Sequence, residues 1–511
     1  IKQYSCHLLI FNIMTTTECP AENGSKELGR RNAVPIIYTR GTHYEIGFDI
    51  GRTFAKLISD FIDKYRPLNE TYLVQYETTE GRKIYDETLA IVEEQYPGYV
   101  REIRGTADGA EVPFHKLFLM HLDDIVPNVA TGTTGNDQPV GCSSIICNQP
   151  GQEILGHNED ALSETLNYWY LVSAHVVEPG SKEEKFTSLS YAGFLPGYTM
   201  GYNQHGLVFC INTLSAATLR SAKTPRYFLA RALLAAEDYG EAERTLRNEG
   251  YGAAEGFSVN LTFLEEEGER VFRNIEIGPC TEDCNESQMD ILTLNTGDFC
   301  FHCNKYIRLQ VPEVEGLIID SSVKRMAAIC RHPAAKSRQD VIDILSDQTD
   351  DDFRVYQEIK PDDYVKTIAT GIFDCIEKTW TIYTDKPDCN EPILVMPLQL
   401  SGKVSPAVNG EQKACETCED TRQCEKAKEC QMSECKKENG EVKICKISEC
   451  EKKENGEVQK CQKLECEKTA NGEAKKCQKS ECEKKENGDA PQNGEKETCE
   501  NSCPRACPQT Q

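Results

Sequence analysis

The sequence predicts an α+β fold, in which helices pack outside a pair of stacked sheets, followed by a disordered tail. Three observations lead to this fold class. Apolar residues recur mostly at helical intervals between residues 35 and 125. Strand patterns begin at residue 142 and continue to residue 384, interrupted by a helical pattern over 223–248. Residues 401–511 contain no Phe, Trp or Tyr, so they cannot bury enough apolar surface to offset their ordering entropy.

A chain of 511 residues exceeds one ordinary domain. We divide it where its composition changes: an N-terminal extension over 1–34, with Met14 as a possible true start; a helical segment over 35–141; a strand-rich segment over 142–400; and the tail over 401–511. No small-residue cleavage site follows the short apolar stretch of the extension, so it makes a poor signal peptide. We therefore expect a cytoplasmic protein, with the 12 cysteines of residues 1–400 as reduced thiols.

The net charge is −26, and acidic and basic residues nearly balance in the tail, so the excess lies in the body. An acidic body disfavours nucleic acid and anionic membranes as partners and suits cationic small molecules. No apolar run approaches the ~18 residues that a membrane helix needs. The expected partner is therefore a small molecule.

The first elements are a short strand over 35–40 and a helix over 43–64. Thr42 and Glu45 have the spacing of a capping box, which marks the start of the helix. Apolar residues then recur at helical intervals to residue 62.

The strand-rich segment opens with a hairpin that contains a Gly-Cys pair. Residues 142–147 and 153–158 flank a Pro-Gly turn, which predicts two antiparallel strands. Further hairpins are expected over 199–212 and 367–384.

Gly141 and Cys142 form the most informative junction of the chain. Cleavage between them would leave one residue that carries both a thiol nucleophile and a free α-amino group. An α-amine has a pKa near ~7.7–8.0 and is a suitable base. A glycine before the cysteine lets the thiol reach the preceding carbonyl. The junction therefore predicts a self-cleaving hydrolase.

Residues 140–160, VGCSSIICNQPGQEILGHNED, resemble the penicillin acyltransferase family of N-terminal nucleophile hydrolases. Matching stretches are TRGTHYEIG (39–47), LPGYTM (195–200), INT (211–213) and TGIFD (370–374). The resemblance spans about residues 35–400 and implies a four-layer αββα fold with self-cleavage before the cysteine. It is strongest for the branch that hydrolyses β-alanyl-dopamine and β-alanyl-histamine.

The resemblance also implies roles for individual residues. It makes Cys142 the nucleophile and base, Asp160 the carboxylate that holds the new amino group, and Arg354 the arginine that orients the nucleophile. Asn212 and Asn304 would bind the oxyanion or position the new terminus. His157 stands where related enzymes carry an arginine, with Asn158 beside it. Structural alternatives remain open at this stage: a surface position for Arg354, a turn for Asp160 or Asn304, and a strand end for Asn212.

The expected reaction is hydrolysis of a small β-alanyl amide by two associated, self-cleaved chains, without metal or cofactor. A carboxylate would bind the β-alanyl ammonium, and the candidates are Glu159, Asp124, Asp123 and Glu164. One alternative is an acyltransferase or a hydrolase of other N-acyl amides on the same fold. A second alternative is a thiol-rich metal-binding protein with a degenerate hydrolase body.

The second alternative depends on the tail, which holds 14 of the 26 cysteines. Pairs of cysteines separated by four residues recur there every 15 or 16 residues: Cys430 and Cys435, Cys445 and Cys450, Cys461 and Cys466, Cys477 and Cys482. Such thiols could bind zinc or copper(I). The spacing is not that of a usual zinc site, so a flexible tail is the preferred interpretation.

Overall fold

A computed structural model describes residues 29–131, 141–358 and 364–401, together with the backbone of two short strands in the tail. The chain divides into two units, Ile1–Ser405 and Pro406–Gln511. In the second unit, strands Glu451–Glu454 and Glu457–Lys460 form an antiparallel pair. Met14 and the cysteine repeats lie outside the described residues. None of the described helices is long and apolar enough to cross a membrane.

A short strand and seven helices form the N-terminal part of the first unit. The elements are β1 Ile36–Gly41, α1 His43–Thr53, α2 Ala55–Lys64, α3 Leu73–Tyr76, α4 Thr79–Gln95, α5 Pro97–Ala110, α6 Phe114–Met120 and α7 Ile125–Thr131. The capping box of Thr42 and Glu45 is confirmed. A π-helical turn, Pro67–Tyr72, precedes α3.

The prediction of one helix over 43–64 is wrong, because the helix breaks at Phe54 between α1 and α2. Phe54 has φ −108° and ψ 20°, outside the helical region. Its ring stacks on Tyr170, with centroids 4.0 Å apart and an angle of 9° between the planes. Hydrophobic spacing alone does not reveal the break, because Tyr170 is distant in sequence.

Helices α1 and α5 contact each other through glycines. A Cβ atom on Gly47 would lie 2.0 Å from the carbonyl oxygen of Glu102, and one on Gly105 would lie 2.2 Å from that of Tyr44. Only residues without a side chain allow the two backbones to approach this closely. This contact fixes α1 against α5 in the helical segment.

The strands form two sheets. Their bounds are β2 Ser143–Gln149, β3 Gln152–Leu162, β4 Trp169–Val176, β5 Glu184–Tyr191, β6 Met200–Asn203, β7 Leu207–Leu214, β8 Gly256–Phe263, β9 Phe272–Gly278, β10 Gln288–Leu294, β11 Phe299–His302, β12 Val365–Asp374, β13 Thr379–Tyr383 and β14 Leu394–Pro397. The first sheet has the order β1-β4-β5-β6-β7-β8-β9-β10, and the second β11-β2-β3-β12-β13-β14. Within them only β1 and β4 pair in parallel among the described strands.

Four more helices lie among the strands: α8 Arg226–Leu233, α9 Tyr239–Arg247, α10 Leu317–Ile329 and α11 Arg338–Leu345. The helical pattern over 223–248 corresponds to two helices, α8 and α9, and not to one continuous helix. Asp238 caps a new helix there, because its side chain accepts a hydrogen bond from the backbone of Glu241. The polar cap separates α8 from α9.

The apolar side chains form distinct clusters on the two faces of each sheet. Ile146 and Phe373 of the second sheet pack in one cluster with Trp169 of the first. The neighbouring residue Ile145 points the opposite way and packs with Leu345 of α11. The other face of the first sheet packs against the N-terminal helices. Successive strand residues thus serve two different cores, as the alternation of a strand requires.

Nine described cysteines are free thiols, six of them buried: Cys142, Cys147, Cys210, Cys280, Cys303 and Cys375. Cys389 is disulfide-bonded. The expectation that every cysteine of residues 1–400 is reduced is therefore wrong at Cys389.

Candidate active site

Cys142 lies immediately before β2 and lines a cavity of about 150 Å³. Cys142 is buried, with 7% of its surface exposed. A Cβ atom on Gly141 would lie 2.2 Å from Oδ1 of Asn304 and 2.7 Å from Nη2 of Arg325. These fixed, buried groups explain why glycine precedes the cysteine. The Gly-Cys junction therefore sits inside the protein, against polar side chains.

Two side chains donate hydrogen bonds to the carbonyl oxygen of Cys142. Nη1 of Arg325 lies 2.7 Å from that oxygen, and Nδ2 of Asn212 lies 3.1 Å from it. Both donors are fully buried. Together they hold the backbone of the cysteine in one orientation. Asn212 donates from β7 and Arg325 donates from α10.

The arginine at the site is Arg325, and the structure does not bring Arg354 there. Arg354 makes a local contact instead, in which its Nη2 donates to the carbonyl oxygen of Asp351. Arg325 also donates to Oγ of Ser143, at 2.9 Å, and to Oδ1 of Asn304, at 2.9 Å. The family resemblance pointed to Arg354, which follows an acidic run, whereas the buried arginine at the junction lies on α10.

A sequence signal for Arg325 existed in its helix. Ser321 and Ser322 stand one turn before Arg325, and all three residues are buried on α10. Oγ of Ser321 accepts a hydrogen bond from Nε of Arg325 at 3.1 Å. A polar face on a helix that also carries Ile318 and Ile329 in the core predicts a buried polar site.

Asn304 lies against the Gly-Cys junction and is fully buried. Its Oδ1 accepts from Arg325, and its Nδ2 donates to the carbonyl oxygen of Thr213 at 2.9 Å. Asn212 uses its amide nitrogen on Cys142 and on the carbonyl oxygen of His302, at 3.4 Å. The structure thus brings both predicted asparagines to the junction.

Asp160 lies at the far end of the hairpin and lines the same cavity as Cys142. Its Oδ1 accepts a hydrogen bond from Oγ1 of Thr367 at 2.5 Å. Its Oδ2 is buried and has no hydrogen-bond partner. Burial raises the pKa of Asp160 to about 7, although the charge of Arg325 and the Thr367 hydrogen bond act in the opposite direction.

Asn158 points away from the cysteine and has a structural role. Its Nδ2 donates to the carbonyl oxygens of Leu345 and Val355, at 2.8 and 2.9 Å, and its Oδ1 accepts from Thr370 at 2.7 Å. These bonds join β3 to α11 and to the segment before β12. Asn158 therefore supports the hairpin on the face opposite His157.

His157 and Glu159 lie on the cysteine's side of the hairpin. The thiol of Cys142, a ring nitrogen of His157 and a carboxylate oxygen of Glu159 all lie within 4.8 Å of one another. Burial raises the pKa of the Cys142 thiol to about 12; the charge of Glu159 adds to this effect, and the hydrogen bond with His157 opposes it. In the intact chain the thiol is therefore protonated at neutral pH.

Glu159 is already engaged in two contacts. Its Oε1 accepts from the hydroxyl of Tyr191 at 2.6 Å, and its Oε2 lies 3.1 Å from Nε2 of His157. Among the other carboxylates proposed for the substrate, Glu164 pairs with Arg66 at 2.7 Å and does not line the cavity. Asp123 and Asp124 line it directly.

Three carboxylates surround one guanidinium at the cavity. Nη2 of Arg226 lies 2.9 Å from Oδ2 of Asp123 and 2.8 Å from Oδ2 of Asp124. Glu255, fully buried behind them, accepts from the backbone of Arg226 at 3.2 Å. Burial raises the pKa of Asp123 to about 6, against the charge of Arg226, and raises that of Glu255 well above its usual range. The cluster has more acids than its single cation neutralises.

Aromatic rings line much of the remaining cavity wall: Phe61, Tyr65, Tyr72, Tyr191, Phe194, Tyr198 and Tyr227. The rings of Tyr198 and Tyr227 lie 4.3 Å apart between centroids. A cavity with this wall and an acidic cluster suits a small cationic ligand that carries a ring.

A buried thiol beside an internal Gly-Cys junction, with an acidic and aromatic cavity, suits an enzyme that acts on small amides. A profile of the acyl-coenzyme A:6-aminopenicillanic acid acyl-transferase family matches residues 147–389. The chain is 47% identical over 384 residues to the beta-alanyl-dopamine/carcinine hydrolase of Drosophila melanogaster, covering 74% of this chain and 99% of the relative. The chain belongs to this acyl-transferase family, and it is an amidohydrolase.

A second relative is more distant. The 40 kDa form of acyl-coenzyme A:6-aminopenicillanic-acid-acyltransferase from Emericella nidulans is 25% identical over 223 residues, which cover 43% of this chain and 58% of that protein. Hydrolysis and acyl transfer thus both occur among the proteins that this chain resembles.

Proposed function

We propose that this protein hydrolyses β-alanyl amides of aromatic amines and of histamine, after cutting its own chain between Gly141 and Cys142. The observation that carries the proposal is the cavity shared by the Cys142 thiol, the partnerless oxygen of Asp160 and the acidic cluster. The Drosophila relative, named for β-alanyl-dopamine and carcinine, supports the choice of substrate. Carcinine is β-alanyl-histamine.

Self-cleavage would create the missing partner of Asp160. The new α-ammonium group of Cys142 would arise in the cavity that Asp160 also lines. An ammonium beside a buried carboxylate stabilises the ionised form of both groups. The partnerless Oδ2 of Asp160 in the intact chain supports its role as the carboxylate that holds this terminus.

In turnover, the sulfur of Cys142 attacks the carbonyl carbon of the substrate amide. The α-amino group takes the thiol proton and delivers it to the departing amine, leaving a β-alanyl thioester on the sulfur. Water then adds to the thioester and releases β-alanine. Arg325 and Asn212 position the nucleophilic residue through its carbonyl oxygen, and Asn304 orients Arg325.

The acidic cluster is the proposed site for the β-alanyl ammonium. Burial raises the pKa of Glu255 well above its usual range and so favours its neutral form. The carboxylates of Asp123 and Asp124 then face the single charge of Arg226, and one further cation would complete the charge balance. Glu159 is less suited, because His157 and Tyr191 already occupy its oxygens. The aromatic wall supports binding of a catechol or imidazole ring.

We also propose that the two sheets and their helices form the four-layer αββα arrangement of N-terminal nucleophile hydrolases. The support is the distribution of the apolar clusters: one lies between the sheets, and the others join helices to the opposite face of each sheet. A cytoplasmic location is proposed in addition, on the strength of nine free thiols.

The test combines chain mass with substrate discrimination. We expect the purified full-length protein to give two fragments, with Cys142 at the start of the larger one, and to hydrolyse β-alanyl-dopamine. Replacing the ammonium by hydrogen, as in N-propionyl-dopamine, should lower kcat/KM by about 10- to 100-fold, since a desolvated ion pair is lost. In Asp124→Asn this preference should shrink, while Glu164→Gln retains it.

Three results would overturn the proposal, and the first two are full activity without a chain start at Cys142 and absence of turnover for every β-alanyl amide. Acyl transfer is measured in the same assay by adding a second amine. If the β-alanyl group passes to that amine faster than to water, the enzyme is a transferase and the hydrolytic proposal fails.

A further inference from the structure

Self-cleavage precedes all substrate turnover, and it lacks the base that serves during turnover. Before cleavage, the nitrogen of Cys142 belongs to a peptide bond and cannot accept a proton. The thiol is also protonated, with its pKa raised to about 12 by burial. Some other group must therefore accept the thiol proton, and His157 and Glu159 are the groups clustered with the sulfur.

The hydrogen-bond partners around His157 determine which of its atoms donate and which accept. Nδ2 of Asn212 faces two carbonyl oxygens, those of Cys142 and His302, which fixes the orientation of this amide. Its Oδ1 therefore faces Oγ of Ser144, at 2.8 Å, and must accept the hydroxyl proton. With its only proton committed, Ser144 can only accept from Nδ1 of His157, at 2.9 Å.

The second ring nitrogen of His157 faces a carboxylate. Nε2 lies 3.1 Å from Oε2 of Glu159, and an ionised carboxylate only accepts. Both ring nitrogens therefore carry protons, and His157 and Glu159 form a buried imidazolium–carboxylate pair. Burial alone would lower the pKa of His157, but the interactions with Cys210, Cys142 and Glu159 outweigh it and raise the pKa well above its usual range.

Tyr191 completes the row from the other side. Its hydroxyl donates to Oε1 of Glu159 at 2.6 Å, which holds the carboxylate towards His157. Ser144 and His157 are directly opposed in the β2–β3 hairpin, and Glu159 follows two residues later on the same face. His157 and Glu159 are thus held on one strand of the hairpin, with Cys142 just before its first strand, and Tyr191 reaches Glu159 from β5 of the other sheet.

We propose that the His157–Glu159 pair is the proton acceptor for self-cleavage, a step separate from the amine-assisted turnover; the inference rests on the proposed cleavage at Gly141–Cys142. The Nε2 proton of His157 passes to Glu159, and the vacated Nε2 takes the thiol proton, which leaves a thiolate, an imidazolium and a neutral Glu159 carboxyl group. The sulfur attacks the carbonyl carbon of Gly141, and the bond from that carbon to the nitrogen of Cys142 breaks. The pair returns the proton to this nitrogen, and water hydrolyses the resulting thioester to the Gly141 carboxylic acid and the free thiol.

The experiment follows full-length chains made in a cell-free pulse, with cleavage measured as loss of intact chain. In His157→Gln we expect cleavage to slow at least about 100-fold, the lower range for loss of general base catalysis. In Glu159→Gln the side-chain amide would still contact Nε2 of His157 but could not take up a proton, so cleavage should slow at least about tenfold. Glu153→Gln is the matched control, because that residue lies on the same strand and pairs with Arg270 instead.

The turnover rate per cleaved chain distinguishes a role in self-cleavage from a general loss of structure at the site. It should fall by less than about tenfold in both variants, because the α-amine is then the base. Hydroxylamine, which cleaves thioesters, should not rescue His157→Gln, since the thioester does not form. Thermal unfolding of each uncleaved variant is compared with that of Cys142→Ala.

Each outcome is decisive. Wild-type cleavage rates in both variants overturn the inference but leave the proposed function intact. Rescue by hydroxylamine, or an equal loss of cleavage and turnover, also overturns it, because the pair would then act after the acyl shift or in both reactions. A wild-type chain that never cleaves before Cys142 refutes the proposed function itself. If His157→Gln does not fold, Glu159→Gln decides alone.

Discussion

Asp160 offers the sharpest quantitative test, because the intact chain buries a carboxylate whose second oxygen has no hydrogen-bond partner. The perturbation is Asp160→Asn in the uncleavable Cys142→Ala chain. In this background no α-amine appears, so the carboxyl group keeps the surroundings of the precursor. Asparagine retains the volume of the side chain and an oxygen for Thr367, but it does not titrate.

The magnitude follows from the raised pKa of Asp160. Burial raises it from 3.8 to about 7, a difference of about 3. At about 1.36 kcal/mol per pKa unit, ionising Asp160 in the folded chain costs roughly 4 kcal/mol. Below the pKa of the unfolded state, Asp160 is protonated in both states and does not change the free energy of unfolding. As pH rises from about 4 to 7, Asp160 ionises in the unfolded state before it ionises in the folded state, so the free energy of unfolding of the parent falls by this amount.

Asp160→Asn removes the pH-dependent loss. The difference in free energy of unfolding, variant minus parent, should therefore rise by about 4 kcal/mol between pH 3.8 and pH 8. Any fixed cost of burying the amide without a partner, about 1–3 kcal/mol, shifts both ends of the range equally. The slope with pH, rather than either absolute value, reports the carboxyl group.

Urea unfolding by tryptophan fluorescence measures the slope, because Trp169 and Trp380 are both buried between the sheets. The control is Glu282→Gln, a side chain 81% exposed, which should show little difference across the range. A rise below about 1 kcal/mol, or a fall, would show that Asp160 has no raised pKa in the precursor. The assignment of its free oxygen to the new terminus would then lose its physical basis.

Three further changes test other parts of the site and fold. Arg325→Met removes the donors to the Cys142 carbonyl and to Asn304, so cleavage and kcat/KM should both fall at least about tenfold, whereas Arg331→Met on the protein surface should change neither. Gly47→Ala should lower the free energy of unfolding in urea by about 1–3 kcal/mol, because its Cβ atom would lie 2.0 Å from a backbone oxygen, whereas Gly29→Ala meets nothing within 4 Å. Deletion of residues 402–511 should leave kcat/KM within about twofold, since every described site residue lies in the first unit; a larger loss would assign the tail a part in catalysis.

The Gly-Cys junction and its hairpin were predictable because their signals are local. A turn with Pro and Gly between two apolar runs determines which strands pair. Pairing then puts Ser144 opposite His157, and the alternation of the strand puts Glu159 on the same face. The proximity of these residues to Cys142 follows from sequence and elementary strand geometry.

The identity of the arginine was not predictable in the same way. Arg325 and Arg354 are both distant from Cys142 in sequence, and each follows polar residues. Arg325 reaches the cysteine because α10 packs against the second sheet, where Nη1 of Arg325 meets Ser143, and Arg354 stays with Asp351. The break of the helix at Phe54 has a similar origin, in a ring contact with Tyr170.

By itself, the sequence determined the Gly-Cys pair, the carboxylate of Asp160 and the hairpin that joins them, because neighbours along a strand have fixed relative positions. The tertiary structure alone decided that Arg325 holds the cysteine, that Glu159 is committed to His157, and that Asp124 faces the cavity with excess charge. Those choices depend on which side chains from remote segments arrive at one buried point, and on how burial and shared partners set their charges.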